Sequence, residues 1–370
     1  MRITLVISTF GIGGADRVLS IMANYWTAQG HDISLISLSP LSNDMFKLHP
    51  RVKRIGLNLL NVSTQIGQRL FWNVRRVTQL RLALRRSQPD VAISFIDTSN
   101  VLTLMASWRL GFPVIVGERN DPRQHSIGPT WNLLRSLLYR YASAVVIQSS
   151  QILDWASRHV ERNNVYVIPN PTNPELKRSV KASNRHGAGH TVVAVGRLAR
   201  QKGFDLLIPA FGCCAAKHVG WSLVIVGEGE ERTHLEILAA TIGIADRVKL
   251  IGTVRNPFPL LREADLFVLS SRYEGFPNVL VEAMACGLPV ISTDCPTGPS
   301  EIIRNDMDGV LVPLNDVEAL TAAMDRLMAD PMERQRLAAR AVDVFERFSI
   351  EKVMGMWDEV ATHAWRRVNR

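Results

Sequence analysis

Apolar residues in this chain come in short β-branched runs, and stretches of helical period separate them. "RITLVIS" reads as a buried strand, followed by a glycine loop and a helix from about Asp16 to Gln29. "DISLISL" is a second strand. "DVAISF", "PVIVGE", "AVVIQS" and "VYVIPN" follow at strand length. The rhythm then lapses over "IPNPTNPELKRSVKASNRHGAGH", which has three prolines and no apolar period, and reads as a linker. It restarts with "TVVAVG", "SLVIVG", "VKLIG", "LFVLS", "PVIST" and "GVLVP". Strands alternating with helices imply parallel sheets covered on both faces. The pattern predicts an α/β chain of two doubly wound domains facing a cleft. The predicted parts are a first domain at 1–172, a linker at 173–190, a second domain at 191–347, and a helix at 348–370 crossing back to the first domain. Open parallel sheets bind ligands at the C-terminal ends of their strands, which directs attention to those loops.

Length and composition sharpen this. At 370 residues the chain suits two ordinary domains, and 46% hydrophobic with 21% charged residues is a globular profile. "MRITLVISTFGIGGA" has Arg2 ahead of an apolar run, as a signal peptide does. It breaks into Gly-Ile-Gly-Gly without a small-x-small cleavage site and reads instead as a first strand and loop. No stretch reaches the roughly 20 apolar residues of a spanning helix. The four cysteines show no C-x-x-C spacing and suit a reducing cytosol.

Charge divides the chain. Residues 1–186 hold 23 Lys+Arg against 10 Asp+Glu, and residues 187–370 hold 20 against 24, giving +13 and −4 for the net +9. Residues 45–89 contain ten basic residues and no acid, so the first half is built to face something anionic. Within it, residues 65–87 read as a helix. Ile66, Leu70, Val74, Val77, Leu80 and Leu84 form a stripe expected to pack on the sheet, and Phe71 and Leu82 lie off it near Arg75 and Arg86. A face mixing apolar and cationic side chains suits an acidic membrane surface, where each cation contributes about 1 kcal/mol. A solvated basic helix has the same pattern.

Several strand ends carry candidate chemistry. Gly11, Gly13 and Gly14 precede the first helix, where backbone N–H groups could meet a phosphate or a sugar hydroxyl. A plain tight turn looks the same, and the full dinucleotide fingerprint is absent. Arg197 follows "VAVG" directly and Lys202 comes five residues later, two cations able to neutralise a diphosphate or simply solvated at the surface. Gly227 and Gly229 end the next strand, and "GTVRNP" at 252–257 follows the one after. "YEGFPNVLVEAMACGLPV" puts Glu274 in a loop and Glu282 one turn inside a helix starting near Asn278. The N–H groups of Phe276 to Val279, with Pro277 among these residues, then lie at the positive helix end. Carboxylates on either side could accept sugar hydroxyls. They equally suit a helix-surface charge and a dipole-favouring one.

Together these segments resemble the family 4 retaining glycosyltransferases, which have the GT-B fold. The matching elements are the Gly-Gly-Ala loop at 13–15, "VGRLARQKG" at 195–203, "VGEGEER" at 226–232, "GTVRNP", and the E-x₇-E segment at 274–282. "GVLVP" at 309–313 and "FSIEKVMGMW" at 348–357 also look like that family's closing segments. The chain looks nearest to bacterial members that extend lipid-linked or surface polysaccharides. The resemblance implies transfer of a hexosyl or N-acetylhexosaminyl group from a nucleotide-sugar, UDP-linked by preference, to a polyprenyl-diphosphate-linked glycan. It implies that Arg197 and Lys202 hold the diphosphate, Glu282 the ribose and Glu274 the sugar. The backbone of Phe276, Pro277, Asn278 and Val279 would surround the sugar and phosphate, and Gly227 and Val254 would lie by the phosphates and base. Gly13 and Gly14 would let the first domain approach the diphosphate. No cofactor or divalent metal is expected, and the expected location is the inner face of the membrane, attached through basic residues 47–86.

One segment departs from the family. Many members carry His-Asp after a first-domain strand, and here "VIVGERNDPRQH" puts Asn120-Asp121 in that place. Glu118, Arg119, Asn120 and Asp121 become acceptor-side candidates of unassigned role, with His125 nearby. Asp306-x-Asp308 imitates a metal-binding D-x-D but sits in a turn-rich loop, where Asp and Gly suit turns. Two other classes compete. A sugar-nucleotide epimerase on the same fold would need an acid–base set that has no evident place. A nucleic-acid-binding protein would need a recognition motif, and the basic run has no stacking pattern beyond Phe71 and Trp72.

Overall fold

The computed structural model describes residues 1–11, 13–60, 66–177 and 190–369. The chain forms two compact units: Met1–Pro171 with Glu351–Arg370, and Thr172–Ile350.

The first unit is built on a seven-stranded parallel sheet. Its strands are β1 (Arg2–Ile7), β2 (Asp32–Ser37), β3 (Lys53–Gly56), β4 (Val91–Phe95), β5 (Val114–Gly117), β6 (Ala144–Ile147) and β7 (Val165–Val167). They lie in the order β3-β2-β1-β4-β5-β6-β7, and the reversal between β1 and β4 is the doubly wound switch point. β4, β5 and β6 are buried along their whole length, which is why they read as continuous apolar runs. Helices α1 (Gly14–Ala28), α2 (Ile66–Ser87), α3 (Asp97–Ser107) and α4 (Pro129–Leu138) follow the strands, and α3 packs between α2 and α4. The C-terminal helix Ile350–Val368 contributes a buried Trp357, whose ring lies 5.6 Å from Phe95, and an Asp358 that accepts from the Trp26 indole N–H at 2.6 Å.

The second unit has six parallel strands: β8 (His190–Val195), β9 (Trp221–Val226), β10 (Val248–Leu250), β11 (Leu266–Leu269), β12 (Val290–Thr293) and β13 (Val310–Val312). Their order is β10-β9-β8-β11-β12-β13, again reversing beside its first strand.

Twelve of the thirteen strands are those the apolar pattern predicts, and β3 is the addition. β3 is a half-exposed edge strand of sequence Lys-Arg-Ile-Gly, with no run long enough to stand out within the basic segment. Two further expectations are corrected. The segment taken for a linker starts inside the second unit: Pro174–Lys177 form a helical turn, and Leu176 is buried in that unit's core. Thr172 N–H donates to the Phe348 carbonyl at 2.8 Å, so this unit extends from Thr172 to Ile350. The remaining linker residues, 178–189, lie outside the described residues. On α2, Leu80 and Leu84 are buried as the stripe requires, but Val74 is 58% exposed. The side chains of Ile66 and Leu70 lie outside the described residues.

Candidate functional site

In the second unit the candidate residues gather at the C-terminal ends of β8, β9 and β11. Beyond β8 the chain turns at exposed Arg197 into a short 3₁₀ turn, Arg200–Lys202, closed by Gly203 in the left-handed conformation (φ 64°). A Cβ at Gly203 would collide with the Ser270 carbonyl, so only glycine lets this turn sit against the end of β11. Polar bonds then tie the two loops together. Ser270 Oγ donates to the Lys202 carbonyl at 2.8 Å, and Gln201 Nε2 donates to the Tyr273 carbonyl at 2.9 Å. Arg272 donates through its backbone N–H to the Gln201 carbonyl at 2.7 Å, and its guanidinium grips Asp205 at 2.7 and 2.8 Å.

This scaffold delivers Lys202 Nζ to Glu274 Oε1 at 2.6 Å. The same oxygen accepts from Ser271 Oγ at 2.6 Å, and the Glu274 carbonyl accepts from the Thr297 hydroxyl. Both partners are largely enclosed, with 19% of the Lys202 side chain and 8% of the Glu274 side chain exposed. Four residues on, the helix Asn278–Ala285 begins where the sequence places it, with its positive end at the same loop as Glu274. Phe276 turns its ring into the core, 5.3 Å from Phe348, so only its backbone faces the helix start. Pro277 fills the N-cap position, Val279 packs on the same core, and Glu282 is buried on this helix.

Gly227, with φ 150°, seats the turn after β9 on the Gly196 carbonyl, where a Cβ would collide. Its N–H donates to the Gly252 carbonyl at 2.9 Å, which brings the Gly252–Pro257 loop and Val254 beside it. A cation on a short turn, a carboxylate fixed beside it and a helix N-terminus therefore share one sheet edge. The chemistry of such a set suits a ligand with both anionic and hydroxyl groups.

In the first unit the glycine loop is engaged internally. Gly11 and Gly13 donate their N–H groups to Asp16 Oδ2 at 2.8 and 3.1 Å, and Gly14 begins α1. Burial raises the Asp16 pKa against the pull of those two bonds.

The acceptor-side candidates divide by burial. Glu118 is enclosed: Tyr139 donates its hydroxyl to it at 2.5 Å, and Arg135 lies 3.7 Å away. Burial pushes its carboxyl up to about 7, with Arg135 and Tyr139 opposing. Arg119 stacks its guanidinium 3.3 Å over Phe95 and donates to Asn170 Oδ1 at 2.8 Å, while its Nε and Nη2 make no hydrogen bond among the described residues. Burial lowers its pKa well below the usual arginine range. Asp121 is fully buried and clamped by Arg123 at 2.7 and 2.9 Å. Asn120 is half-buried. The exposed group is His125, with 41% of its side chain open and its Nε2 3.5 Å from Oδ2 of the buried Asp97.

Asp306 and Asp308 face different cations. Asp308 has no exposure and is held by Arg304 at 2.6 Å and Arg347 at 3.3 Å, whereas Asp306 pairs with Arg326 at 2.9 Å. Among the described residues, no cluster of three His, Cys, Asp or Glu side chains could hold a metal ion.

Sequence reasoning missed Ser271, Thr297 and Asp97. Ser271 and Thr297 grip Glu274 from different loops, and no spacing rule says which hydroxyl turns inward. Asp97 did carry a signal, its place two residues past the end of β4. Ile96 between them has φ 74°, a strained value for a β-branched residue and one that collects at functional sites.

Residues 13–171 match the Glycosyl transferase 4-like domain and residues 177–343 match Glycosyl transferases group 1. The chain is 38% identical over 259 residues to the lipopolysaccharide core biosynthesis glycosyltransferase LpsE of Rhizobium meliloti, covering 69% of this chain and 70% of that one. It is 27% identical over 358 residues to a Campylobacter jejuni GalNAc-α-(1→4)-GalNAc-α-(1→3)-diNAcBac-PP-undecaprenol α-1,4-N-acetyl-D-galactosaminyltransferase, covering 96% and 97% of the two chains. Anabaena Alr3699/HepE, solved with UDP, superposes with a TM-score of 0.77 at 20% identity, over 98% of this chain and all of that one. The chain belongs to the family 4 glycosyltransferases and has their GT-B fold.

Proposed function

We propose that this glycosyltransferase moves a hexosyl or N-acetylhexosaminyl group from a UDP-sugar, with retention, to a polyprenyl-diphosphate-linked glycan in bacterial surface polysaccharide or lipopolysaccharide synthesis. The observation that carries the donor side is the Lys202–Glu274 pair at the strand ends of the second unit. Lys202 and Arg197 hold the diphosphate and offset the charge that grows as it departs. Glu274 takes the sugar hydroxyls, and Glu282 takes the ribose. The backbone of 276–279 surrounds sugar and phosphate, and the backbone at Val254 meets the base. The acceptor oxygen attacks the anomeric carbon on the face from which the diphosphate leaves. One C–O bond breaks to phosphate, one forms to the acceptor, and the acceptor's proton passes to the departing phosphate. Two protein cations supply the positive charge, so no divalent metal is required. UDP as the nucleotide is supported by the Anabaena protein that carries it, and a lipid-linked acceptor by the Campylobacter relative's substrate.

No helix among the described residues is long and apolar enough to cross a membrane. Peripheral attachment to the inner membrane face, through the basic segment 47–86, fits a first unit of net positive charge meeting a lipid-borne acceptor.

The test is nucleotide release from a panel of UDP- and GDP-sugars with and without lipid-linked acceptor. Acceptor-dependent UDP release supports the proposal. Isomerisation of the sugar without acceptor, or inertness with salt-sensitive nucleic-acid binding, contradicts it.

A further inference from the structure

The cations of segment 47–86 are not one free surface. Arg54 is bound to Asp44 at 2.7 Å, and Arg51 and Arg76 donate to the carbonyls of Thr27 and Leu59. Arg81 donates to the carbonyls of Ala106 and Trp108 at 2.9 and 2.7 Å, pinning the end of α3 to α2. Four of the ten basic side chains are therefore turned onto the fold itself.

What stands open is the outer face of the α2–α3–α4 layer. Trp108, at the end of α3, is 48% exposed and meets Tyr141, 54% exposed, edge to face with centroids 5.0 Å apart. Leu133 and Leu137, one turn apart on α4, also point outward, while Leu134 and Leu138 pack against the core. Phe71, Val74 and Leu82 are exposed along α2. This apolar face carries exposed Arg75, Arg85, Arg86, Arg109 and Arg140. α2 and α4 contain no acidic residue, and the one on α3, Asp97, is buried. No Asp or Glu occurs at 98–117 or 122–153.

We propose that the α2–α3–α4 face, centred on Trp108 and Tyr141 and ringed by Arg85, Arg86, Arg109 and Arg140, docks on an anionic lipid bilayer. The inference rests on the membrane part of the proposed function and deepens it by narrowing the contact within segment 47–86 to its α2 residues and extending it to α3 and α4. Tyr and Trp settle at the headgroup level, where a ring is buried and its polar tip stays wet. Leu133 and Leu137 reach the acyl boundary, and the arginines meet anionic headgroups. Charge argues against a second copy of the chain as occupant, because a two-fold contact would set this acid-free face against itself. Nucleic acid would leave the exposed leucines unused.

The test is flotation of the purified protein with phosphatidylcholine vesicles, with and without phosphatidylglycerol. The variants are Trp108→Ala/Tyr141→Ser, Leu133→Ser/Leu137→Ser and Arg85→Glu/Arg86→Glu, with Lys47→Glu/Lys53→Glu as the control in the 47–57 segment. Transfer to a soluble acceptor analogue and circular-dichroism melting check each variant. The expected result is binding that needs phosphatidylglycerol and falls about tenfold in partitioning for each of the first three variants. The control should bind nearly as well as the parent, and melting and soluble-acceptor transfer should stay unchanged in all four. Equal binding by parent and patch variants overturns the proposal. So does vesicle inertness of the parent, including inertness with a dimer in sedimentation that the patch variants disperse. Because soluble-acceptor transfer is read separately, loss of the transferase reading and loss of the docking reading give different results.

Discussion

Lys202 and Glu274 hold each other at 2.6 Å, and this pairing fixes both side chains at the end of the sheet. On the proposed reading, a diphosphate beside Lys202 would compete for the ammonium and leave Glu274, still held by Ser271, to meet hydroxyls. Ser271→Ala removes a 2.6 Å donor to that carboxylate. The expected outcome in steady-state kinetics is a rise in donor KM of several-fold to tenfold, equivalent to about 1 kcal/mol, with Ser271→Thr restoring much of it. Glu118 yields a prediction of another kind. Its folded pKa is raised from the ordinary 4.5 to about 7, so the folded chain holds more protons than the unfolded one between those values. Stability from this group is then greatest below about 4.5, declines as pH rises toward 7, and is level above it. Glu118→Gln keeps an acceptor for Tyr139 and cannot ionise. It should flatten the decline seen in melting between pH 5 and 8 by up to about 3 kcal/mol. Glu274 and Lys202 were legible in the sequence because they follow strand ends at recognisable spacing. Ser271 was not, since its role depends on which way one hydroxyl turns in a loop.

At the level of elements, the apolar pattern revealed strands well because parallel strands buried on both faces are continuous runs. β3 escaped because an edge strand of Lys-Arg-Ile-Gly buries too little to leave a pattern. Val74 escaped because an apolar residue at helical spacing reads as core, whereas in α2 it belongs to the outer apolar face with Phe71. The turn at Gly203 ties two of these elements together. Gly203→Ala would force a side chain into the Ser270 carbonyl and hold alanine at φ 64°. The expected loss of stability is at least about 2 kcal/mol, read by denaturant unfolding. Donor binding should fall with it, because the same turn carries Lys202. The acceptor-side candidates were least legible, since burial rather than residue type separates Glu118 and Asp121 from the exposed His125.

Over the whole molecule, charge follows function. The half with +13 carries the helix layer whose exposed face is free of acids, and the half with −4 carries the proposed nucleotide-sugar site, where a few placed cations suffice. Chelation by EDTA is expected to leave transfer unchanged within about twofold, as charge stabilisation by Arg197 and Lys202 requires. A loss restored by magnesium or manganese would contradict that part of the proposal. The central claim is that the Lys202–Glu274 pair is the donor grip. The most direct measurement is UDP-sugar turnover with lipid-linked acceptor by purified Lys202→Ala and Glu274→Ala, each verified as folded. The account predicts at least about a hundredfold loss of kcat/KM in both, on the scale of removing a group that stabilises transition-state charge. Parental turnover by either variant would contradict it.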